Sequence, residues 1–315
     1  MTRISVLALT LLLVGFVSAK QSAASCSPMG WFPSTFGLLD HTVFEYQGYY
    51  YLASIYLGTD HYEDLFAYAR SRDLCNWEEL APILTERIPG ASDEFKIWAP
   101  FVYVEDETYY MYYTGVTHNF TQRIMLATST NPADPASWRP QGMVFQPDHP
   151  NMLWQDDAWA DCRDPTVTRV GNTYYLYYSA RDLAGGIIGL ATASSLSDPW
   201  RDWGAILTLT DPDAMPESAT IITHGGLYYL FYNEAGQGER YRIGASPAGP
   251  WTKASVWFPG WAHEIWKGPN GYEYTSFLTT HTVTMSILSW DTLYDPARPF
   301  IGEAVYHFWL PFITR

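Results

Sequence analysis

The sequence predicts an all-β protein, a single five-bladed β-propeller following a signal peptide. Three observations carry this expectation. Aromatic residues make up 17% of the chain and charged residues only 16%, a composition that must bury a large core rather than stay disordered. Tyr- and Thr-rich runs are interrupted by 23 Gly and 21 Pro, as in many short strands joined by turns, and no long amphipathic helical period is present. Finally, one two-part unit recurs five times in the same order, the mark of a repeat architecture.

Taken in chain order, the first unit is residues 1–19. Arg3 precedes an apolar run from Ile4 to Val17 that ends on Ser18-Ala19, which reads as a secretory signal peptide. The run is shorter than the ~20 residues of a membrane span, so no membrane span is expected and the mature protein is expected to be secreted or periplasmic. Lipid anchoring at Cys26 is not expected, because Ala23-Ala24-Ser25-Cys26 lacks the leucine three residues upstream. Residues 20–30 form an N-terminal tail and 31–315 the propeller. The three cysteines, Cys26, Cys75 and Cys162, show no metal-ligand spacing and allow at most one disulfide, whose pairing stays open.

The repeated unit begins as a hairpin in which a short strand, a turn with Gly or acidic residues and an aromatic strand follow one another. The copies begin at Leu39, Trp98, Cys162, Pro216 and Ala262. A small-residue strand then leads to a tryptophan: Trp77, Trp138, Trp200, Trp251 and, in a degenerate copy, Trp290. Propeller blades bury their faces only against neighbouring blades, and about 59 residues per blade leaves room for four strands and long loops. A β-sandwich would not explain the fixed order of the two parts. The recurring tryptophans are expected to be structural.

Aligning the aromatic strands on Leu52, Met111, Leu176, Leu230 and Thr275 places Asp40, Ala99, Asp164, Ser218 and His263 twelve residues earlier, with Glu217 one residue before Ser218. Innermost strands line a propeller's channel, so these positions should converge. An Asp before a strand is ordinarily a turn residue bonding its own backbone. Three acids on one register would repel one another, and that repulsion points to function. Trp31, Trp98, Trp159 and Trp261 lie near the ring positions and are candidate walls for sugar rings, with inter-blade packing as the alternative for each. Arg163 flanks Asp164 and should line the same pocket. Asp156, Asp157 and Asp161 read as a solvated loop at the channel mouth, and Glu234 as another loop carboxylate.

Converging carboxylates beside indoles suit glycoside hydrolysis, in which one carboxylic acid protonates the leaving oxygen and a carboxylate activates water or attacks the sugar. With 18 Lys+Arg against 33 Asp+Glu and a net charge of −15, nucleic acid is excluded as an obvious partner.

The series Asp40, Trp98-Ala99-Pro100, Asp164-Pro165, Glu217 and His263 ahead of Pro-Asn-Gly resembles the blade motifs of glycoside hydrolase family 43, over nearly all of the mature chain. The resemblance implies a five-bladed propeller acting on arabinose- or xylose-containing oligo- or polysaccharides. It implies Asp40 as general base, Asp164 as the residue that tunes and orients the acid, and Glu217 as general acid, with inversion at the anomeric carbon. It also implies that no cofactor is required for the chemistry and that a structural calcium lies beside His263. The chain departs from the family pattern at His41, Ser218-Ala219 and Glu264, where Pro, Gly-Pro and a small residue are usual. Arg163-Asp164-Pro165 also resembles family 32, the retaining invertase-like fructan and sucrose hydrolases, but that family's first-Asp and Glu-Cys motifs are absent, as is length for its usual second domain. A family 130 phosphorylase would need a basic cluster, and a non-catalytic glycan-binding propeller would not need the acids.

Overall fold

The computed structural model describes residues 30–234, 237–256, 260–268, 271–290 and 298–302. The signal peptide, most of the tail and Cys26 lie outside the described residues. Five four-stranded antiparallel sheets account for nearly all of the rest. Blade 1 comprises β1 (Gly37–Tyr46), β2 (Tyr49–Leu57), β3 (Tyr62–Ser71) and β4 (Trp77–Ile83). Blade 2 comprises β5 (Lys96–Glu105), β6 (Thr108–Val116), β7 (Gln122–Ser129) and β8 (Arg139–Phe145). Blade 3 comprises β9 (Cys162–Val170), β10 (Thr173–Asp182), β11 (Gly185–Ala193) and β12 (Arg201–Thr208). Blade 4 comprises β13 (Pro216–His224), β14 (Leu227–Glu234), β15 (Gly238–Gly244) and β16 (Ser255–Val256). Blade 5 comprises β17 (Trp261–Lys267), β18 (Glu273–Thr279), β19 (Thr282–Trp290) and β20 (Pro299–Gly302). Each sheet runs in chain order, so every blade begins at its innermost strand.

The second strand of each blade is buried on both faces, which its unbroken aromatic and aliphatic composition allows; β6 reads TYYMYYTGV and β10 TYYLYYSARD. The apolar core divides into five clusters, each shared by two neighbouring blades. Phe44 and Tyr68 of blade 1 meet Tyr109 and Met125 of blade 2, and Tyr177 and Leu190 of blade 3 meet Ala219 and Leu230 of blade 4. Each cluster contains or abuts one recurring tryptophan: Trp138, Trp77, Trp200, Trp251 and Trp290. Five seams for five blades means the ring is closed, since the last seam joins Ala262, Leu278 and Met285 of blade 5 to Leu38, Val43 and Leu52 of blade 1.

Polar contacts reinforce that closing seam. Glu264 of β17 accepts hydrogen bonds from Thr42 Oγ1 and Val43 N of β1, each at 2.7 Å, and Thr42 Oγ1 in turn accepts from Val102 N of β5 at 3.1 Å. His41 Nε2 lies 2.7 Å from Ser276 Oγ. Ahead of blade 1, Trp31 forms a two-way backbone bridge with Val283 of β19. Cys75 is disulfide-bonded, its partner outside the described residues, and Cys162 is a buried free thiol.

Candidate active site

The site is built by an irregularity repeated in every innermost strand. Pairing slips between Leu39 and His41 in β1, Trp98 and Phe101 in β5, Arg163 and Thr166 in β9, Glu217 and Thr220 in β13, and Trp261 and Glu264 in β17. The skipped residues include Asp40, Ala99, Asp164, Ser218 and Ala262, and the last four have left-handed φ values of 44°, 56°, 52° and 53°. Such bulges leave residues out of the ladder and re-aim their side chains, and the strained backbone persists because the surrounding sheets hold it. In blade 5 the left-handed position is Ala262, so His263 stands one residue beyond the ring register.

The bulges surround two connected spaces. A small chamber of ≈ 40 Å³ on the axis is lined by Asp40, His41, Asp164, Ser218, His263 and Glu264, among others. Above it opens a pocket of ≈ 270 Å³ that brings together Asp40, Asp164, Glu217, Arg163 and the indoles of Trp98, Trp159 and Trp261. Trp31 is not part of it. That residue is only 5% exposed and packs edge-on against Phe36 in the blade 5–blade 1 seam, because its backbone is tied to Val283. Trp31 is therefore a structural residue, a correction to its place among the candidate sugar walls.

Arg163 organises the carboxylates. Its Nη2 donates to Glu217 Oε1 at 2.7 Å, its Nη1 pairs with Asp161, and its Nε lies 4.0 Å from Asp164 Oδ2. Asp164 also accepts from Ser218 N at 2.9 Å, while its own N–H donates to Thr114 Oγ1 at 3.1 Å, which locks the blade 2–3–4 corner. Burial opposes the Arg163 charge, but the Asp164, Glu217 and Asp161 charges outweigh it and hold the guanidinium protonated. Burial, followed by the charges of Asp164 and Glu217, pushes Asp40 well above the usual carboxylate range, and burial lifts Asp164 to about 6 despite Arg163. Arg163 therefore does not cancel the combined effect of burial and neighbouring negative charge on Asp40 and Asp164, and both bind a proton more tightly than an exposed carboxylate.

Three other acidic residues belong to this centre and carried no functional assignment from sequence. Asp161 is no solvated loop residue. Its side chain is 11% exposed and accepts from both Arg163 and Trp159 Nε1, the latter at 3.0 Å. The period-two spacing of Trp159, Asp161 and Arg163 is the signal that could have revealed it. Glu63 reaches the pocket from a third strand, where no innermost-strand register applies. Glu239 of β15 is 1% exposed, and neither of its carboxyl oxygens has a hydrogen-bond partner among the described residues; burial and then the Asp40 charge push it well above the usual carboxylate range. Asp156 lies in a loop and pairs with Arg123, whereas Glu234, expected in a loop, is the last residue of β14, paired there with Pro216 and Gly238, and lies 3.6 Å from Arg240.

His263 is buried, lies 3.0 Å from Thr275 Oγ1 through Nδ1 and stacks on Phe277. Burial holds both His263 and His41 neutral, at about 3. Among the described residues no cluster of three or more His, Cys, Asp or Glu side chains could hold a metal ion directly. The donor set thus does not form the oxygen cage a directly bound calcium requires.

Fold and site define a five-bladed propeller with an acidic, indole-walled pocket at the mouth of its axis. The model of glycosyl hydrolases family 43 matches residues 37–159 of this chain. A curated relative, a probable arabinan endo-1,5-alpha-L-arabinosidase A of Aspergillus flavus, is 28% identical over 209 residues, covering 63% of this chain and 59% of the relative. The chain thus spans about three fifths of the length of the curated relatives it matches. Among solved structures, an exo-1,5-alpha-L-arabinanase from a bovine ruminal metagenomic library superposes with a TM-score of 0.64 at 18% identity, covering 87% of this chain and 99% of the other. CoXyl43, a beta-xylosidase/alpha-arabinofuranosidase from a compost microbial metagenome, superposes with a TM-score of 0.61 at 19% identity, covering 84% and 95%. At these identities the superpositions establish the fold.

Proposed function

We propose that the protein is a secreted glycoside hydrolase that cleaves arabinose- or xylose-containing glycans with inversion. The observation that carries this reading is that Asp40, Asp164 and Glu217, from three different blades, share one pocket with Trp98, Trp159 and Trp261. The named activities of the relatives, arabinan cleavage and xyloside or arabinofuranoside cleavage, support the pentose assignment. In this mechanism Asp40 accepts a proton from a water as that water attacks the anomeric carbon. Glu217 delivers its proton to the departing glycosidic oxygen, and Asp164 orients the acid through Arg163 and Ser218. The general-acid role requires Glu217 to carry a proton at bond cleavage, so the leaving group has to loosen the Arg163–Glu217 pair as it enters. Indole faces supply flat apolar platforms for the sugar rings.

The chemistry needs no cofactor in this scheme. A calcium in the axial chamber would be held through water, with His263 organising the chamber; calcium titration of chelated protein, read by calorimetry, tests it. A phosphorylase is disfavoured because Arg163 is the one cation among the described residues lining the pocket. The test of the function is a screen of aryl arabinofuranoside, aryl xyloside, linear arabinan and a fructan, read for rate and product size. Turnover of a pentoside or arabinan supports the proposal. Turnover of fructan alone, a strict phosphate requirement, or binding without turnover rejects it.

A further inference from the structure

Glu63 reaches the pocket in an unusual way. Between Ile55 and Leu57 of β2 the pairing with β3 jumps from Phe66 to Tyr62, so Glu63, Asp64 and Leu65 bulge out of the ladder opposite Tyr56. Glu63 has a left-handed φ of 61°, a strained conformation for a residue with a side chain. The bulge turns its carboxylate toward blade 2, where a single oxygen takes both available donors. Lys96 Nζ lies 2.7 Å and Trp98 Nε1 2.9 Å from Glu63 Oε2. Oε1 receives no hydrogen bond from the described residues, although the side chain is only 14% exposed and lines the ≈ 270 Å³ pocket beside Asp40 and Trp98.

A strut between blades would use both oxygens or face away from the cavity. This carboxylate is instead paired with Lys96 and fixed in direction by the indole N–H, with its remaining acceptor open at the edge of an indole platform. Paired with Trp98, it offers a sugar an apolar face for its C–H groups and an anionic acceptor for a hydroxyl on the same ring. We propose that Glu63 is a substrate-binding residue whose Oε1 accepts a hydrogen bond from a hydroxyl of the sugar seated on Trp98, and so selects for that hydroxyl. This proposal rests on the glycan-processing reading above.

The test combines Glu63→Gln and Glu63→Ala with a series of monodeoxy aryl pentosides. A hydrogen bond to a charged group contributes about 1.5–3 kcal/mol, so Glu63→Ala should lower kcat/KM by roughly 10–100-fold, carried mostly by KM. Glu63→Gln, which keeps a carbonyl acceptor, should recover most of that loss. One deoxy substrate should be as poor for the wild type as the parent compound is for Glu63→Ala, and should lose nothing further in the variant. Equal, additive losses across all deoxy substrates, or an unchanged KM in a Glu63→Ala protein of wild-type melting temperature, would overturn the proposal. If the wild type turns over no pentoside, the hydrolase reading fails by itself. The same cycle is then run as calorimetric binding of arabino- and xylo-oligosaccharides, where loss of affinity in Glu63→Ala supports the contact and equal affinity in both proteins removes it.

Discussion

Arg163 Nη2 lies 2.7 Å from Glu217 Oε1, and the same guanidinium also holds Asp161, which in turn anchors the Trp159 indole. One residue thus connects the acid to an aromatic wall of the pocket. Because Arg163 is planar and binds several carboxylates at once, lysine cannot replace it. Arg163→Lys is expected to keep the fold and lower kcat/KM by roughly 10–100-fold, which melting curves beside steady-state kinetics would check. A variant with wild-type kinetics would show that the connection plays no part in turnover.

Asp40 and Glu217 should separate by leaving group. Glu217→Gln should spare aryl glycosides, whose leaving groups need little protonation, and slow alkyl glycosides and oligosaccharides by about 10²–10⁴-fold. Asp40→Asn should lower both by a similar factor. A uniform loss in Glu217→Gln across a series of leaving-group pKa values would remove its role as the acid.

The first product anomer seen by NMR should be inverted relative to the substrate, because the general-base role of Asp40 requires a water between carboxylate and sugar. Retention would make Asp40 a nucleophile.

Stability should depend on pH through Glu264, which burial raises from 4.5 to about 8. A raised carboxyl stabilises the fold fully below the unfolded value, and that contribution is lost as pH rises through the folded one. Over pH 4.5–8 the wild type should therefore lose stability that Glu264→Gln does not, on the order of 3 kcal/mol by neutral pH. The difference in melting temperature between variant and wild type should shift in favour of the variant as pH rises; a constant difference across that window would mean that Glu264 is already ionised in the fold.

Much of this molecule was legible in one dimension. The hairpins, the recurring tryptophans and the acids at shared positions are local patterns, because each blade is a local unit whose strands pair in chain order. Trp31 shows the limit. Its nearness in sequence to Asp40 suggested a sugar wall, but its backbone pairs with Val283, some 250 residues away. Asp161 shows the opposite failure, since a run of acids reads as solvated until the guanidinium of Arg163, two residues on in β9, is seen to bond both it and Glu217.

The sequence by itself determined the number of blades, their order and the ring positions of Asp40 and Asp164, since repetition and side-chain period survive without coordinates. Only the tertiary structure decided how the ring closes through Glu264, Thr42 and Val43, and that Glu63 enters the pocket from a third strand. It alone decided which carboxylates share one guanidinium and which, like Glu239, stand buried with no hydrogen-bond partner among the described residues. These depend on where bulges turn side chains and on distances between blades, and pairing energies at a few ångströms leave no periodic trace in the chain.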